Sequence, residues 1–155
     1  MKNLFWVALI LYLFSCNYVE KNTTAVFDIA TAKNHILKMN ESYSDRFLKN
    51  DTAYYYVRYC KDAEVYCPQT PAVKGVDSII QFFYNNGNNK ETKIELPVAT
   101  IYGNANFVVE EGAYNFPDGK GGSYDKGKFL AIWKLEDGIW KLYREIWNTD
   151  IIQKK

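Results

Sequence analysis

The stretch KFLAIWKLEDGIWKLYREIWNT, residues 128–149, decides the fold class of this chain. Two runs rich in apolar and aromatic residues, 128–135 and 139–149, flank Asp137-Gly138. This dipeptide favours a two-residue hairpin turn, so the stretch predicts two long antiparallel strands. Side chains of such strands alternate between the two faces of a sheet. We expect one face to carry Phe129, Ala131, Trp133, Trp140 and Leu142, and the other to carry Leu130, Ile132, Tyr143, Glu145 and Trp147.

Further strands are predicted upstream of this hairpin. Residues 93–102 alternate between apolar and polar for much of their length, with Pro97 marking an edge or a bulge. Residues 106–116 form the next strand, and residues 63–67 form a short strand that ends at Pro68. The second half of the chain is therefore predicted to be mainly strand.

Helices are predicted in the first half. Asp28 is a plausible N-cap, because its carboxylate can accept hydrogen bonds from the first free backbone N–H groups of a helix. Apolar residues then recur at spacings of three and four, which is typical of an amphipathic helix. They are Ile29, Ala32, Ile36, Met39, Tyr43 and Phe47. Asp51 can cap a second helix over residues 52–59, and Gly75 precedes a third over residues 76–84. Helices first and strands last predict an α+β domain, with three N-terminal helices packed on a curved antiparallel sheet.

The N-terminus has the pattern of an export signal. Lys2 precedes an uncharged run of 11 residues, 4–14, which is too short to cross a bilayer as a helix. Leu13-Phe14-Ser15-Cys16 then resembles the bacterial lipobox, and the resemblance implies diacylglyceryl attachment at Cys16, cleavage before it and N-acylation. The alternative is an ordinary signal peptide with a chance cysteine. Asn17 after the cysteine resembles the pattern that directs lipoproteins to the outer membrane in some Gram-negative bacteria.

The chain therefore divides into three parts. We expect a signal peptide at residues 1–15, a lipidated Cys16 with a polar tether at residues 16–27, and one domain at residues 28–151. This places the protein in the bacterial cell envelope, with the membrane as a partner through the lipid. The formal charge of +1 falls to zero once Lys2 is removed, so bulk attraction to nucleic acid is not expected.

Cysteine and histidine usage predicts neither a disulfide nor a metal site. The strand predicted between Cys60 and Cys67 would hold the two sulfur atoms apart, so we expect two buried free thiols. His35 is the single histidine, and no His or Cys partner stands at a ligand spacing from it. No cofactor is predicted.

Several short motifs follow one another through the domain. They are Lys49-Asn50-Asp51, residues 59–63, Pro68, Gly75, residues 102–105, Gly112, Trp133, Asp137-Gly138, Trp140 and residues 145–148. In this order and spacing, over residues 29–150, they resemble the nuclear transport factor 2-like superfamily, nearest its SnoaL-like members of mostly unknown function. The resemblance implies a cone-shaped domain that is open at one end and often dimerises through its sheet.

The same resemblance indicates which positions to compare with known catalytic residues. Ketosteroid isomerases of this superfamily place a carboxylate base where this chain has Cys67, and an acidic donor where it has Ala131. Only the tyrosine donor of the first helix has a match, Tyr43, so chemistry of that kind is not expected. Glu145 is the acidic residue of most interest, because it lies in a strand between apolar neighbours. The residues predicted to line the pocket are Tyr43, Phe47, Cys67, Phe83, Ala131, Trp133, Glu145 and Trp147.

Three functions remain open at this stage. The first is a binding module, in which the cone holds a small, mostly apolar molecule without catalysis. The second is a structural or interaction lipoprotein that forms a homodimer, since one partly apolar sheet face would otherwise be exposed. The third is an acid–base enzyme that uses Glu145, with Tyr43 as a hydrogen-bond donor.

Overall fold

A computed structural model describes residues 27–87, 93–97 and 100–151 of the chain. The predicted signal peptide, Cys16 and nearly all of the tether therefore lie outside the described residues. Within the described part of the chain, no helix is both long and apolar enough to cross a membrane.

The described residues form an α+β domain with three helices and six strands. The helices are α1 (Ile29–Leu48), α2 (Thr52–Arg58) and α3 (Val76–Gly87). The strands are β1 (Tyr59–Tyr66), β2 (Val73–Lys74), β3 (Thr100–Gly103), β4 (Phe107–Pro117), β5 (Ser123–Glu136) and β6 (Ile139–Thr149). The three predicted helices and the long C-terminal hairpin are confirmed, while β2 was not predicted.

The predicted helix caps are confirmed. The Asp28 carboxylate accepts hydrogen bonds from the backbone N–H groups of Ala30 and Thr31, at 3.0 and 3.1 Å. Asp51 in the same way accepts one from the N–H of Tyr54, at 3.2 Å. These bonds satisfy donors that a helix start leaves free, and so fix where α1 and α2 begin.

The sheet is mixed, so the prediction of an antiparallel sheet is wrong. Its strand order is β2-β1-β6-β5-β4-β3. β1 runs parallel to β6, and the other neighbours are antiparallel. Residues 59–66 pair with residues 142–146, and a pairing between such distant segments leaves no local sequence signal.

The strand predicted at residues 93–102 is also wrong in extent. Among the described residues here, only Thr100–Gly103 belongs to a strand of the sheet, while Glu95 forms an isolated bridge with Asn115. The N–H of Ile94 donates instead to Ser44 Oγ on α1, at 2.8 Å, and Ile94 is buried. Pro97 has no N–H to donate, which disfavours a continuous strand here.

A β-bulge in β6 changes which side chains face the core. Asp137 and Gly138 form the predicted turn, with φ angles of +53° and +77°. Ile132 then pairs with Arg144 but Trp133 pairs with Leu142, so Tyr143 is an extra residue on β6. One extra residue turns the rest of a strand over.

The predicted face assignment of Glu145 and Trp147 is therefore wrong. Beyond the bulge, Glu145 lies opposite Ala131, and Trp147 lies opposite Phe129. Both side chains consequently share the inner sheet face with these residues and with Trp133, against which the helices pack. The core between helices and sheet contains fully buried Ile36, Tyr59, Val65, Ile79, Val108, Trp133 and Leu142.

Candidate functional site

A cavity of about 180 Å3 lies between the helices and the inner face of the sheet. Most of its wall is apolar and aromatic, formed by Phe47, Phe82, Phe83, Ile94, Leu96, Phe116, Phe129 and Trp147. Its polar lining residues are Tyr43, Arg58, Tyr114, Asp125 and Glu145. The cavity thus combines an apolar wall with a few polar groups, as small-molecule sites do.

Five of the eight residues predicted to line the pocket do so: Tyr43, Phe47, Phe83, Glu145 and Trp147. The other three, Cys67, Ala131 and Trp133, do not line the cavity and are buried in the core. Ala131 is a small residue opposite Glu145, so the glutamate side chain extends over it. Trp133 lies further along β5 toward the hairpin turn, beyond the cavity wall.

Glu145 presents one free carboxylate oxygen to the cavity. Its Oε2 accepts a hydrogen bond from Tyr59 Oη at 2.9 Å, while no donor among the described residues reaches Oε1. Burial raises the pKa of Glu145 above its ordinary value. The Arg58 charge and the Tyr59 hydrogen bond oppose this rise, and the nearby Glu110 charge adds to it.

Tyr43 brings a free hydroxyl to the same end of the cavity. It lies on α1 with its ring 5.9 Å from that of Phe47, and its hydroxyl has no hydrogen-bond partner among the described residues. Burial raises the pKa of Tyr43 well above its ordinary value, so the phenol stays protonated at neutral pH. Tyr43 and Glu145 therefore offer a donor and an acceptor that the protein itself leaves unused.

Arg58 is a buried cation beside these two residues, and it was not among the predicted site residues. It ends α2 and is 3% exposed. Its guanidinium lies 4.6 Å from the Tyr43 ring centroid and 5.2 Å from that of Trp133. Arg58 Nη1 and Nη2 each donate to Asn40 Oδ1 at 3.2 Å. Arginine is seldom buried, so a sequence pattern would place it in solvent.

Glu110 is a second buried carboxylate close to this cation. It lies on β4 with no exposure, and its Oε2 accepts a hydrogen bond from Trp133 Nε1 at 2.9 Å. Its other oxygen accepts one from Asn40 Nδ2, so Asn40 connects the carboxylate to the Arg58 guanidinium. Burial raises the pKa of Glu110, and the Arg58 charge opposes the rise.

The opposite end of the cavity has its own polar group, Asp125. Tyr114 Oη lies 3.1 Å from Asp125 Oδ2, and Thr149 Oγ1 donates to the other oxygen at 2.5 Å. The Tyr114 ring crosses β5 at Gly127, where an added Cβ would lie 2.9 Å from Tyr114 Cε1. Both oxygens of this acid are therefore bound by hydroxyl groups, whereas only one oxygen of Glu145 is.

Similar architecture occurs in solved structures of low sequence identity. One is a protein of unknown function with a cystatin-like fold from Nostoc punctiforme, with a TM-score of 0.68 and 17% identity over 78% of this chain and 92% of that chain. Another is a nuclear transport factor 2-like superfamily protein from Salmonella enterica serovar Typhimurium, with a TM-score of 0.67 and 16% identity over 82% and 96%. A third, an NTF2-like protein from Novosphingobium aromaticivorans, has a TM-score of 0.68 and 13% identity over 78% and 83%.

The chain has the nuclear transport factor 2-like fold. A scan against protein-family models and a search of curated proteins found no match. Sequence identity to the solved structures is low, so the comparison defines the architecture and leaves the activity to be argued from the cavity.

Outside the cavity, the described residues of this nuclear transport factor 2-like domain include one cluster of potential metal ligands. The ligand atoms of Cys60, Asp62 and Glu136 lie within 4.8 Å of one another. Lys134 Nζ binds the Asp62 carboxylate at 3.1 Å, and Lys141 Nζ binds that of Glu136 at 3.0 Å. Both carboxylates are thus occupied by ammonium groups, and burial raises the pKa of Cys60 to about 11. The cluster is an ion-pair network beside a neutral thiol.

The thiols are as predicted in this domain. Cys60 and Cys67 are both free and buried. Burial raises the pKa of Cys67 to about 12, so it is protonated at neutral pH. A neutral thiol is a poor proton acceptor at neutral pH.

Proposed function

We propose that the domain, as a SnoaL-like member of its fold, binds one small, largely apolar molecule in the cavity. One observation carries this proposal. An aromatic wall surrounds a hydroxyl of Tyr43 and a carboxylate oxygen of Glu145 that have no partner in the described part of the protein. Both side chains are half-buried and line the cavity, so these two groups are accessible to a ligand that supplies the missing bonds.

The size of the cavity limits the ligand. An apolar cavity of about 150 Å3 is large enough to hold benzene. The cavity here, at about 180 Å3, suits one ring with a short chain, or an aliphatic group of similar volume. Burial of such a body would supply most of the affinity, and the polar end would set its orientation.

Filling the cavity tests this proposal. Leu96 lines the cavity, whereas Leu135 is exposed on β5, so the two sites offer a matched pair of substitutions. We expect 2-phenylethanol to quench or shift Trp147 fluorescence in the wild type and in Leu135→Trp, and to bind Leu96→Trp at least about tenfold more weakly. Equal affinity for Leu96→Trp and the wild type would place the ligand elsewhere and refute the proposal.

A second candidate function, acid–base catalysis, is favoured by the convergence of Glu145 and Tyr43 on one cavity. The carboxylate could accept a proton while the tyrosine donates a hydrogen bond to a developing oxyanion. A generic probe of proton abstraction, 5-nitrobenzisoxazole, tests this role. Catalysis requires that Glu145→Gln lower the rate by about 100-fold, while Glu41→Gln, on the exposed surface of α1, leaves it unchanged. If the two variants have equal rates, catalysis by Glu145 is refuted and ligand binding remains the proposed function.

The outer sheet face supports a third proposal, self-association. Leu130 pairs with Ile146, which also pairs with Tyr66, and these side chains are 38%, 51% and 36% exposed. Because apolar patches of this kind mark interfaces, we propose that a second copy packs here. Sedimentation equilibrium would then give a dimer that Leu130→Glu dissociates and Tyr84→Glu, on α3, leaves intact. A monomeric wild type contradicts this proposal.

We also propose a location for the protein. The lipobox-like residues ending at Cys16 support a lipoprotein of the bacterial envelope, anchored in the outer membrane. Metabolic labelling with palmitate is expected to label the wild type and not Cys16→Ser, and the variant should leave the membrane fraction. An unlabelled wild type would point to an ordinary signal peptide.

A further inference from the structure

The inner end of the cavity has more buried negative charge than positive charge. Glu145 and Glu110 face the single guanidinium of Arg58, whose charge acts on both carboxylates. Besides Glu145 and Arg58, the only acidic or basic residue that lines the cavity among those described is Asp125, and it too is acidic. One positive charge is therefore missing when both glutamates are ionised. Burying an uncompensated charge is costly, so either a proton or a cationic ligand must supply it.

Arg58 is poorly placed to receive an anionic ligand. Both of its terminal nitrogens donate to Asn40, and Nη1 also lies 3.4 Å from Tyr54 Oη. The aromatic rings of Tyr43 and Trp133 lie against the guanidinium. Its Nε is buried and has no acceptor among the described residues. The Arg58 charge is already shared between Glu145 and Glu110, so a ligand carboxylate would add a third negative charge beside it.

The groups that do reach the cavity suit a hydrogen-bond donor. Glu145 Oε1 is an acceptor without a donor, and the Tyr43 hydroxyl oxygen can accept a second hydrogen bond. The rings of Phe83 and Trp147, stacked at 6.2 Å, add aromatic surface that attracts cations. An ammonium group has three donors and one positive charge, so it supplies both the missing hydrogen bonds and the missing charge. A hydroxyl group supplies only a hydrogen bond.

We propose that the cavity selects a primary amine with a small apolar body, whose ammonium group binds Glu145 Oε1 and the Tyr43 hydroxyl. This rests on the proposed binding function and specifies its ligand class. The ammonium takes the place of the proton that Glu145 would otherwise hold. The apolar body lies against the aromatic wall, where 2-phenylethylamine would fill the space.

Three compounds of similar shape test the proposal: 2-phenylethylamine, 2-phenylethanol and 3-phenylpropanoate. Calorimetric titration of the full-length protein in detergent at pH 7 should give an amine affinity at least about tenfold higher than that of the alcohol. The carboxylate should bind more weakly than either. If the alcohol binds as tightly as the amine, the ligand class is wrong and the binding function stands. If none of the three compounds binds, both the amine preference and the proposed binding function are refuted.

Charge removal at the site gives the second test. Glu145→Gln keeps the shape and the Tyr59 hydrogen bond, so it should reduce the amine's advantage over the alcohol to less than about threefold while the alcohol still binds. Glu41→Gln removes the same charge from the exposed surface of α1 and should change neither affinity. An amine advantage that survives in Glu145→Gln would overturn the assignment.

Proton release provides a readout that does not depend on a variant. Among the described residues, the ionisable groups around Glu145 are Arg58, Tyr59, Tyr43, Tyr55, Cys67 and Glu110. Near the raised pKa of Glu145, amine binding should displace a proton, and alcohol binding should not. Titrations in buffers of different ionisation enthalpy measure this proton. Equal proton release for the amine and the alcohol would contradict the proposal.

Discussion

Tyr59 and Glu145 are joined by a hydrogen bond of 2.9 Å between the phenol Oη and the carboxylate Oε2. The bond connects the first residue of β1 to the middle of β6 and orients the acid toward the cavity. It favours the ionised carboxylate and so limits the rise in the pKa of Glu145 that burial causes.

We expect Tyr59→Phe to raise the pKa of Glu145 further, because the charged form loses a hydrogen bond. A carbon-13 NMR titration of the glutamate carboxyl groups would measure the change. The matched control is Tyr66→Phe, which removes a phenol that binds Glu64 on the exposed part of β1. A Glu145 pKa that is the same in Tyr59→Phe as in the wild type would show that the bond has no influence.

Arg58→Met should destabilise the protein strongly at pH 7.5, by about 3–5 kcal/mol, because two buried carboxylates lose the only cation near them among the described residues. The loss should be much smaller at pH 5, where a larger fraction of Glu110 and Glu145 is protonated. Urea denaturation at the two pH values measures the difference. Adding Glu145→Gln should recover part of the stability at pH 7.5, and an equal loss at both pH values would contradict this explanation.

The pH dependence of stability should change in Glu145→Gln. The pKa of folded Glu145 is above its ordinary value of 4.5, so folding binds a proton. Its contribution to the free energy of unfolding is therefore full below that value, and is lost as pH rises through the folded pKa. Relative to the wild type, Glu145→Gln should gain stability as pH rises from 4.5 to 8. The free energy of unfolding of Glu41→Gln should follow the same pH dependence as that of the wild type. The same pH dependence in Glu145→Gln would be inconsistent with a raised pKa of Glu145.

Gly127→Ala should destabilise the β5–β6 pair by about 1–3 kcal/mol. An added Cβ would lie 1.8 Å from the carbonyl oxygen of Asn148 and 2.9 Å from Tyr114 Cε1, so backbone and ring must both move. At Gly122 the atoms nearest to a new Cβ belong to the side chain of Asp118, which can turn away. Thermal denaturation should show a smaller loss for Gly122→Ala, and similar losses would refute the steric argument.

Local sequence signals predicted much of this fold. The caps at Asp28 and Asp51 and the turn at Asp137-Gly138 act through neighbouring backbone groups, so a few residues are sufficient to recognise them. The long-range features could not be found in this way. Two examples are the parallel pairing of β1 with β6 and the interruption of the predicted strand 93–102 near Pro97. Both depend on which segments meet in space.

The same difference between local and long-range features applies to the cavity. Aromatic residues such as Phe47 and Phe83 follow from the apolar faces of α1 and α3, and they line the cavity as predicted. The bulge at Tyr143 has no clear sequence signature, so the face of Glu145 was assigned wrongly. Arg58 was missed because its burial depends on Glu110 and Asn40, which come from two other elements.

The parallel pairing of β1 with β6 has a consequence for biosynthesis. The edge of β1 that does not face β2 remains unpaired until residues 142–146 have left the ribosome or the translocation channel. A nascent chain that stops short of β6 therefore has no Glu145 opposite Tyr59, whatever its helices have formed. Assembly of the acidic end of the cavity must therefore wait for the emergence of β6, long after the segments of all three helices have been synthesised.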